Sequence, residues 1–354
     1  MIVTVHTSRI KKNLDAMRLA YGKPLIFMCK ANAYGHGMCE VAPKVSVHAF
    51  GVATEEEGAA LRSLVSEPIL VTAPRISNLP LLARSRLIPI VGEENYLRAM
   101  IDSRCVKRCH IKVDSGMHRL GFSTPKECYA MAAHLAGHGV TVEGVCTHYK
   151  GASRDIILSQ NARFDECVRA IRSALSLSGQ EIVPLTHVTA SGVRFASKYD
   201  ALRVGLAAYG YENEQTPDNP MHMAMKVSSE ILRVKRLNYA ETLGYDGVFT
   251  ADRPVTACTV LGGYADGIDR RDAGGEVIVN GKRARIAAVC MDTFELVSDA
   301  VDLSVGDRVI ILSEEVNARR IAERRRTIPY EVLVGFDTPR ARRIYDEETA
   351  ESDL

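Results

Sequence analysis

Short apolar runs alternate with helix-length amphipathic stretches over the first two thirds of the chain. The first helix candidate places Ile10, Leu14 and Met17 on one face, behind Ser8 as its cap. Apolar runs then recur at Leu25–Cys29, Ala49–Ala53, Ile69–Thr72, Leu87–Val91, Cys109–Val113, Val142–Thr147, Pro184–Val188 and Leu202–Val204. Thr54-Glu55-Glu56-Glu57, directly after the second run, has the spacing of a capping box that opens a helix. These runs make eight strand candidates, most of them separated by a helix-length segment. Alternation of this kind predicts a parallel sheet, and eight units in about 200 residues fit a (β/α)8 TIM barrel. The pattern alone leaves an open doubly wound sheet as the alternative.

The pattern changes after Tyr211. Glu212–Pro220 is polar, holds two prolines and reads as a linker. Beyond it the clearest runs, Val255–Leu261, Glu276–Val279, Ala284–Val289 and Arg308–Leu312, read as β-structure. Asn280-Gly281 lies between two of them and suits a tight hairpin turn. One helix candidate surrounds Arg319–Arg326. The expected organisation is a barrel over residues 1–220 and a mainly β domain over residues 221–354.

A length of 354 residues agrees with two domains. The net charge of +2 gives no basis for a nucleic-acid surface. The N-terminal MIVTVHTSRIKKNLD does not read as a signal peptide, and no apolar run reaches bilayer-spanning length. Nine cysteines without repeated spacing fit reduced thiols in the cytoplasm. With neither CxxC nor HExxH, no metal site is expected.

Lys30 stands at the C-terminal end of the first predicted barrel strand, on the face where barrel active sites form. A buried lysine has a lowered pKa and can bond covalently to a carbonyl cofactor. A lone lysine here would more simply reach solvent. The following Ala31-Asn32-Ala33-Tyr34-Gly35-His36-Gly37 favours the chemical reading, because its two glycines suit a backbone that approaches something closely. Ser191, Gly205 and Leu206 follow the last two predicted strands, where barrels often bind phosphate through hydroxyl and backbone N–H groups.

The unbroken stretch KANAYGHG, Lys30–Gly37, resembles the cofactor-lysine signature of the alanine racemase family, fold-type III pyridoxal-phosphate enzymes. The resemblance runs over nearly the whole chain. It implies that Lys30 holds pyridoxal phosphate, with Tyr34 also at the cofactor. Lys112–Gly121, KVDSGMHRLG, is similar to the segment whose arginine, here Arg119, contacts the cofactor's phenolic oxygen and the substrate carboxylate. Lys112 matches a lysine that is often carbamylated. His148 is implied beside the cofactor and the catalytic tyrosine, and Arg203 at the pyridine nitrogen. Leu243–Ala251 is similar to the stretch around that tyrosine, and counting back from Gly263–Gly267 places Tyr245 in register without a gap. Tyr264 matches a residue near the substrate entrance, and Met291, in Cys290-Met291-Asp292, one near the substrate carboxylate.

What the resemblance implies is racemisation of a small amino acid, L-alanine to D-alanine and back, by two bases. Lys30 serves one face of the α-carbon, and Tyr245 of the partner subunit in a homodimer serves the other, helped by His148 and Arg119. The chain departs from the family at three places. A tyrosine that touches the phosphate falls on Thr338 or Pro339, an entrance aspartate on Ser153, and an arginine on Ala288. These changes bear on substrate choice, opening the pocket to serine or a larger side chain. The rival readings are a decarboxylase of the same plan, a cofactor carrier without turnover and a non-enzymatic interaction module, the last of which leaves Lys30–Gly37 unexplained. Arg203 and Tyr245 argue against the first, and the C-terminal β domain argues against the second.

Overall fold

The computed structural model describes residues 1–189, 198–211, 221–298 and 302–346. A strand, β1 (Ile2–His6), and a helix over Thr7–Tyr21 open the chain. Eight parallel strands follow: β2 (Leu25–Met28), β3 (Ala49–Val52), β4 (Ile69–Val71), β5 (Ile88–Val91), β6 (Arg108–Lys112), β7 (Thr141–Cys146), β8 (Leu185–Thr189) and β9 (Ala201–Val204). Each pairs with the next, and β9 closes on β2, with Leu25 opposite Leu202 and Phe27 opposite Val204. The strands fall on the eight expected runs, and closure excludes the open-sheet alternative.

Strands of a closed parallel barrel are covered on both faces, so they read as continuous apolar runs. Every residue of β2, β3, β4 and β5 is buried. The Phe27 ring packs between Phe50 and Tyr209, with centroids 6.3 and 5.5 Å away. The Tyr209 hydroxyl donates to the Met28 carbonyl at 3.0 Å, so the interior phenol is satisfied. Gly144 on β7 makes room for a second polar ring: a Cβ there would lie 2.5 Å from His110 Nδ1.

The expected capping box is present. Thr54 Oγ1 accepts the Glu57 N–H and Glu57 Oε2 accepts the Thr54 N–H, each at 3.3 Å, at the start of the helix Glu55–Arg62. Ser8 does not cap the first helix, which begins at Thr7 and takes Ser8 into its first turn. Ile10, Leu14 and Met17 are buried as their spacing requires.

The chain forms two compact units, one of Lys11–Ala33 with Met38–Met221, the other of Met1–Ile10, Tyr34–Gly37 and His222–Leu354. The second unit is built on β10 (Met225–Leu237), β11 (Thr242–Leu243), β12 (Phe249–Thr250), β13 (Val255–Leu261), β14 (Glu276–Val279), β15 (Lys282–Val289), β16 (Thr293–Ser298), β17 (Arg308–Leu312) and β18 (Arg342–Asp346). β10 serves two neighbours in turn. Val227–Glu230 pairs with β17 and Ile231–Leu237 with β13, which closes β13-β16-β15-β14-β17-β10 into a ring. β1 joins this sheet, antiparallel to β10 and parallel to β18. Its alternation explains why, since Val3 and Val5 bury one face. Asn280 and Gly281 have φ of 50° and 71°, as a two-residue type I′ hairpin demands. The expected helix spans Ala318–Arg325, and Pro329–Gly335 adds a short one that the apolar pattern did not signal. The expected linker, Glu212–Pro220, lies outside the described residues. Among the described residues no helix is long and apolar enough to cross a membrane.

Gly144→Ala should crowd the His110 ring and cost about 1–3 kcal/mol of stability, read as a lower denaturant midpoint with unchanged slope.

Candidate active site

The chain leaves β2 through Cys29 and Lys30 into a conformation that side chains resist. Ala31, Asn32 and Ala33 have φ/ψ of 49°/55°, 51°/50° and 55°/50°, and Tyr34 follows with φ 52°. This is a left-handed helical turn built without glycine. Each such residue costs about 1–2 kcal/mol, so the surroundings must hold it. The Ala33 N–H donates to the Cys29 carbonyl at 2.8 Å. Asn32 Oδ1 accepts the Met38 N–H at 2.7 Å, and Glu57 Oε1 accepts the Ala31 N–H at 2.7 Å.

Four strand ends of the barrel converge here with basic side chains. Burial lowers the pKa of the Lys30 amine, Arg119 and Arg203 push it the same way, and Glu57 opposes them. Lys112, the last residue of β6, is also lowered by burial; Cys146 works against this, and Arg119 and Arg203 add to it. His148, two residues beyond β7, is brought down to about 3 by burial and by Arg203, Arg119, Lys112 and Lys30. It is therefore neutral at physiological pH. Arg119 and Arg203 thus act on each of Lys30, Lys112 and His148, which brings the five into one neighbourhood.

The loop that carries Arg119 is built around Asp114. Burial disfavours the Asp114 carboxylate, but Oδ1 accepts the N–H groups of Gly116, Met117 and His118 at 2.9, 2.9 and 3.0 Å, and its pKa ends below the ordinary value. The loop returns through Gly121, whose φ is +131° and where a Cβ would sit 2.4 Å from the Asp114 nitrogen. Only glycine passes there. Arg119 itself is exposed.

Arg203 on β9 is buried, and its donors are directed. One terminal nitrogen lies 2.8 Å from His187 Nδ1 and donates to the His187 carbonyl at 3.0 Å; the other donates to the Thr147 carbonyl. Arginine has no acceptor, so His187 Nδ1 accepts and its proton sits on Nε2. That nitrogen is 2.8 Å from His110 Nδ1, which must accept in turn. Burial keeps both imidazoles neutral, His187 well below its ordinary pKa and His110 at about 3. The sequence reading missed His110, His187 and Glu57. The available signal was a histidine inside each of two apolar runs, Cys109–Val113 and Pro184–Val188.

Gly205 and Leu206 follow β9, and Leu206 opens a short 3-10 turn over Leu206–Tyr209. Ser191 lies outside the described residues. Tyr34 is buried in the other unit against the Tyr330 ring, 5.6 Å between centroids. In that unit, Tyr245 stands in the turn between β11 and β12 and is 71% exposed. Leu243 and Phe249 anchor the base of that hairpin in a cluster with Leu237, Val255 and Ala287. Tyr264 and Met291 are also exposed. The Tyr264 and Ala265 N–H groups donate to the carbonyls of Cys290 and Met291 at 2.9 and 3.1 Å, so those two loops form one platform.

Residues 5–213 match the family model "Alanine racemase, N-terminal domain", and residues 224–345 match "Alanine racemase, C-terminal domain". An alanine racemase of Thermodesulfovibrio yellowstonii is 34% identical over 97% of this chain and 95% of its own length. The crystal structure of alanine racemase from E. faecalis superposes with a TM-score of 0.88 at 30% identity, covering 98% of each chain. That of alanine racemase from Bartonella henselae, with covalently bound pyridoxal phosphate, gives a TM-score of 0.84 at 24% identity over 98% of this chain and 99% of its own.

The buried imidazoles predict acid sensitivity. Unfolded histidines titrate near pH ~6.5, whereas His110 does so near 3 and His187 well below its ordinary value. Below about pH 6.5 the unfolded chain therefore binds protons that the folded one refuses. Stability is fully expressed above that pH and falls as pH drops toward 3. Each histidine should remove about 1.4 kcal/mol per pH unit in this window. Denaturant midpoints of the apoprotein between pH 7 and 5 measure the loss, and His110→Asn should shrink it.

Proposed function

The chain belongs to the alanine racemase family, and on that premise we propose that Lys30 and Tyr245 are the opposed bases of a pyridoxal-phosphate-dependent interconversion of L-alanine and D-alanine. The observation that carries this reading is the Lys30 amine, its pKa lowered by burial with Arg119 and Arg203 beside it. An unprotonated amine is what bonds to an aldehyde, and guanidinium groups suit phosphate, phenolate and carboxylate oxygens. Among the described residues that act on that amine, Glu57 is the carboxylate beside the cations Arg119 and Arg203, so the donor set fits an anionic aldehyde.

Lys30 would hold the cofactor covalently, with Ser191 and the N–H groups of Gly205 and Leu206 around its phosphate. Arg203 would face the pyridine nitrogen. Its donor-only chemistry and its ties to His187 and Thr147 leave that nitrogen no proton to gain. When bound, pyridoxal phosphate would supply the electron sink for the negative charge left on the substrate by loss of the α-proton. Lys30 Nζ moves the proton on one face and Tyr245 Oη on the other. Arg119 orients the substrate carboxylate, with Met291 and Tyr264 bounding the pocket. Neutral His148 can accept a hydrogen bond from the phenol. Lys112 is the residue proposed to carry a carbamate: its lowered pKa favours the free amine that adds carbon dioxide, and the product would give Arg119 an anionic neighbour.

Tyr245, Tyr264 and Met291 are proposed to complete the barrel site of a second subunit in a homodimer. Three large exposed side chains on one platform and hairpin suit a surface covered by another copy. The nine free thiols support a reducing, cytoplasmic setting. Where the family places a tyrosine this chain has Thr338 or Pro339, and the smaller side chain at that wall favours turnover of serine beside alanine.

Lys30→Ala and Tyr245→Phe should each reduce racemisation by about 10²–10⁴-fold, with Tyr245→Phe in D2O still exchanging the α-proton of one enantiomer. Mixing the two inactive variants under subunit exchange should restore about a quarter of wild-type activity, because half the dimers are hybrids and each hybrid has one intact site. No recovery would mean that each subunit uses its own tyrosine. Undiminished activity of Tyr245→Phe would remove the tyrosine from the mechanism.

A further inference from the structure

We propose that Glu57 is a positioning residue for Lys30, its carboxylate clamping the left-handed turn that follows the lysine and balancing the cations around the amine. The inference rests on Lys30 being the cofactor lysine. Glu57 is the third residue of its helix, and a capping box asks it for one bond, to the Thr54 N–H. That bond is 3.3 Å, the longest the carboxylate makes. The shorter two, 2.7 Å each, run from the Ala53 N–H to Oε2 and from the Ala31 N–H to Oε1. One carboxylate therefore ties the end of β3 to the first residue of the turn after β2.

Ala31 is where such a clamp matters most. The first N–H groups of any helical turn have no partner within it. Glu57 supplies that partner and so fixes the Lys30–Ala31 peptide, from which the lysine side chain departs. The strain of four successive residues at positive φ raises the demand on every bond that holds the turn. The charge of Glu57 has a second effect, because it opposes burial, Arg119 and Arg203 at the Lys30 amine. A glutamine could not replace it. Its amide has one acceptor oxygen, enough for Ala31 or Ala53 but not both, and its NH2 would face the other donor.

The experiment compares Glu57→Gln, Glu57→Asp and Thr54→Ala as apoproteins with the wild type. Amide hydrogen exchange of the segment 30–34 reports the clamp, and the pH dependence of Lys30 acylation, followed by mass spectrometry, reports the charge. Glu57→Gln should exchange at least about 10-fold faster, as loss of a charged hydrogen bond implies, and shift the Lys30 pKa down. Glu57→Asp keeps the charge and loses the reach, so it should speed exchange with the smaller pKa shift. Thr54→Ala removes the other half of the capping box and should leave both readouts near wild type. Equal acceleration in Thr54→Ala and Glu57→Gln, or none in either Glu57 variant, would reduce Glu57 to a helix cap. Borohydride reduction with pyridoxal phosphate tests the premise separately: a wild-type label away from Lys30 would overturn the cofactor assignment and leave the exchange result intact.

Discussion

A guanidinium buried in the wall of the barrel sets the state of the groups around it. Arg203 cannot lose its charge cheaply and cannot accept a hydrogen bond, so its neighbours must be acceptors. The Thr147 carbonyl, just beyond β7, and the His187 carbonyl and Nδ1, on β8, meet that demand. The tautomers of His187 and His110 follow without further assumptions. The same charge helps depress Lys30, Lys112 and His148. Burial first, with this cation adding to it, thus favours the free amine of Lys30 and a neutral His148 at the barrel mouth, the states that the proposed covalent attachment and proton transfer require.

The barrel was legible in the sequence because its strands are buried on both faces, which turns each into a continuous apolar run bounded by turns. Lys30, the proposed cofactor lysine, stands out in the sequence because an unusual string of residues follows it. What the pattern hid has physical reasons. His110 and His187 stand inside apolar runs, where periodicity registers position and not polarity. Glu57 looked complete as a helix cap, since a sequence cannot reveal that the second oxygen of a carboxylate reaches another loop. The left-handed turn leaves no glycine signature, because Ala31, Asn32 and Ala33 adopt it under constraint. The membership of β1 depends on partners more than two hundred residues away, beyond any local window.

Rigidity is distributed unevenly, in keeping with what each part must do. The barrel residues at the site are held through buried backbone bonds and a satisfied polar network. Tyr245 stands in an exposed hairpin turn, but the base of that hairpin is sunk in an apolar cluster. A side chain can be exposed and still be precisely aimed when the strands beneath it are pinned in this way.

The placement of β1 also imposes an order on biosynthesis. Residues 2–6 are translated well before either neighbour of their strand, Met225–Ser228 on one side and Arg342–Asp346 on the other. The eight strands of the barrel, Leu25 to Val204, can find one another while both partners of β1 are still untranslated. The nascent chain must therefore carry this strand unpaired through most of elongation, with Val3 and Val5 exposed to any passing edge. These early residues are among the last to be locked, and translation of Arg342–Asp346 is what completes their pairing.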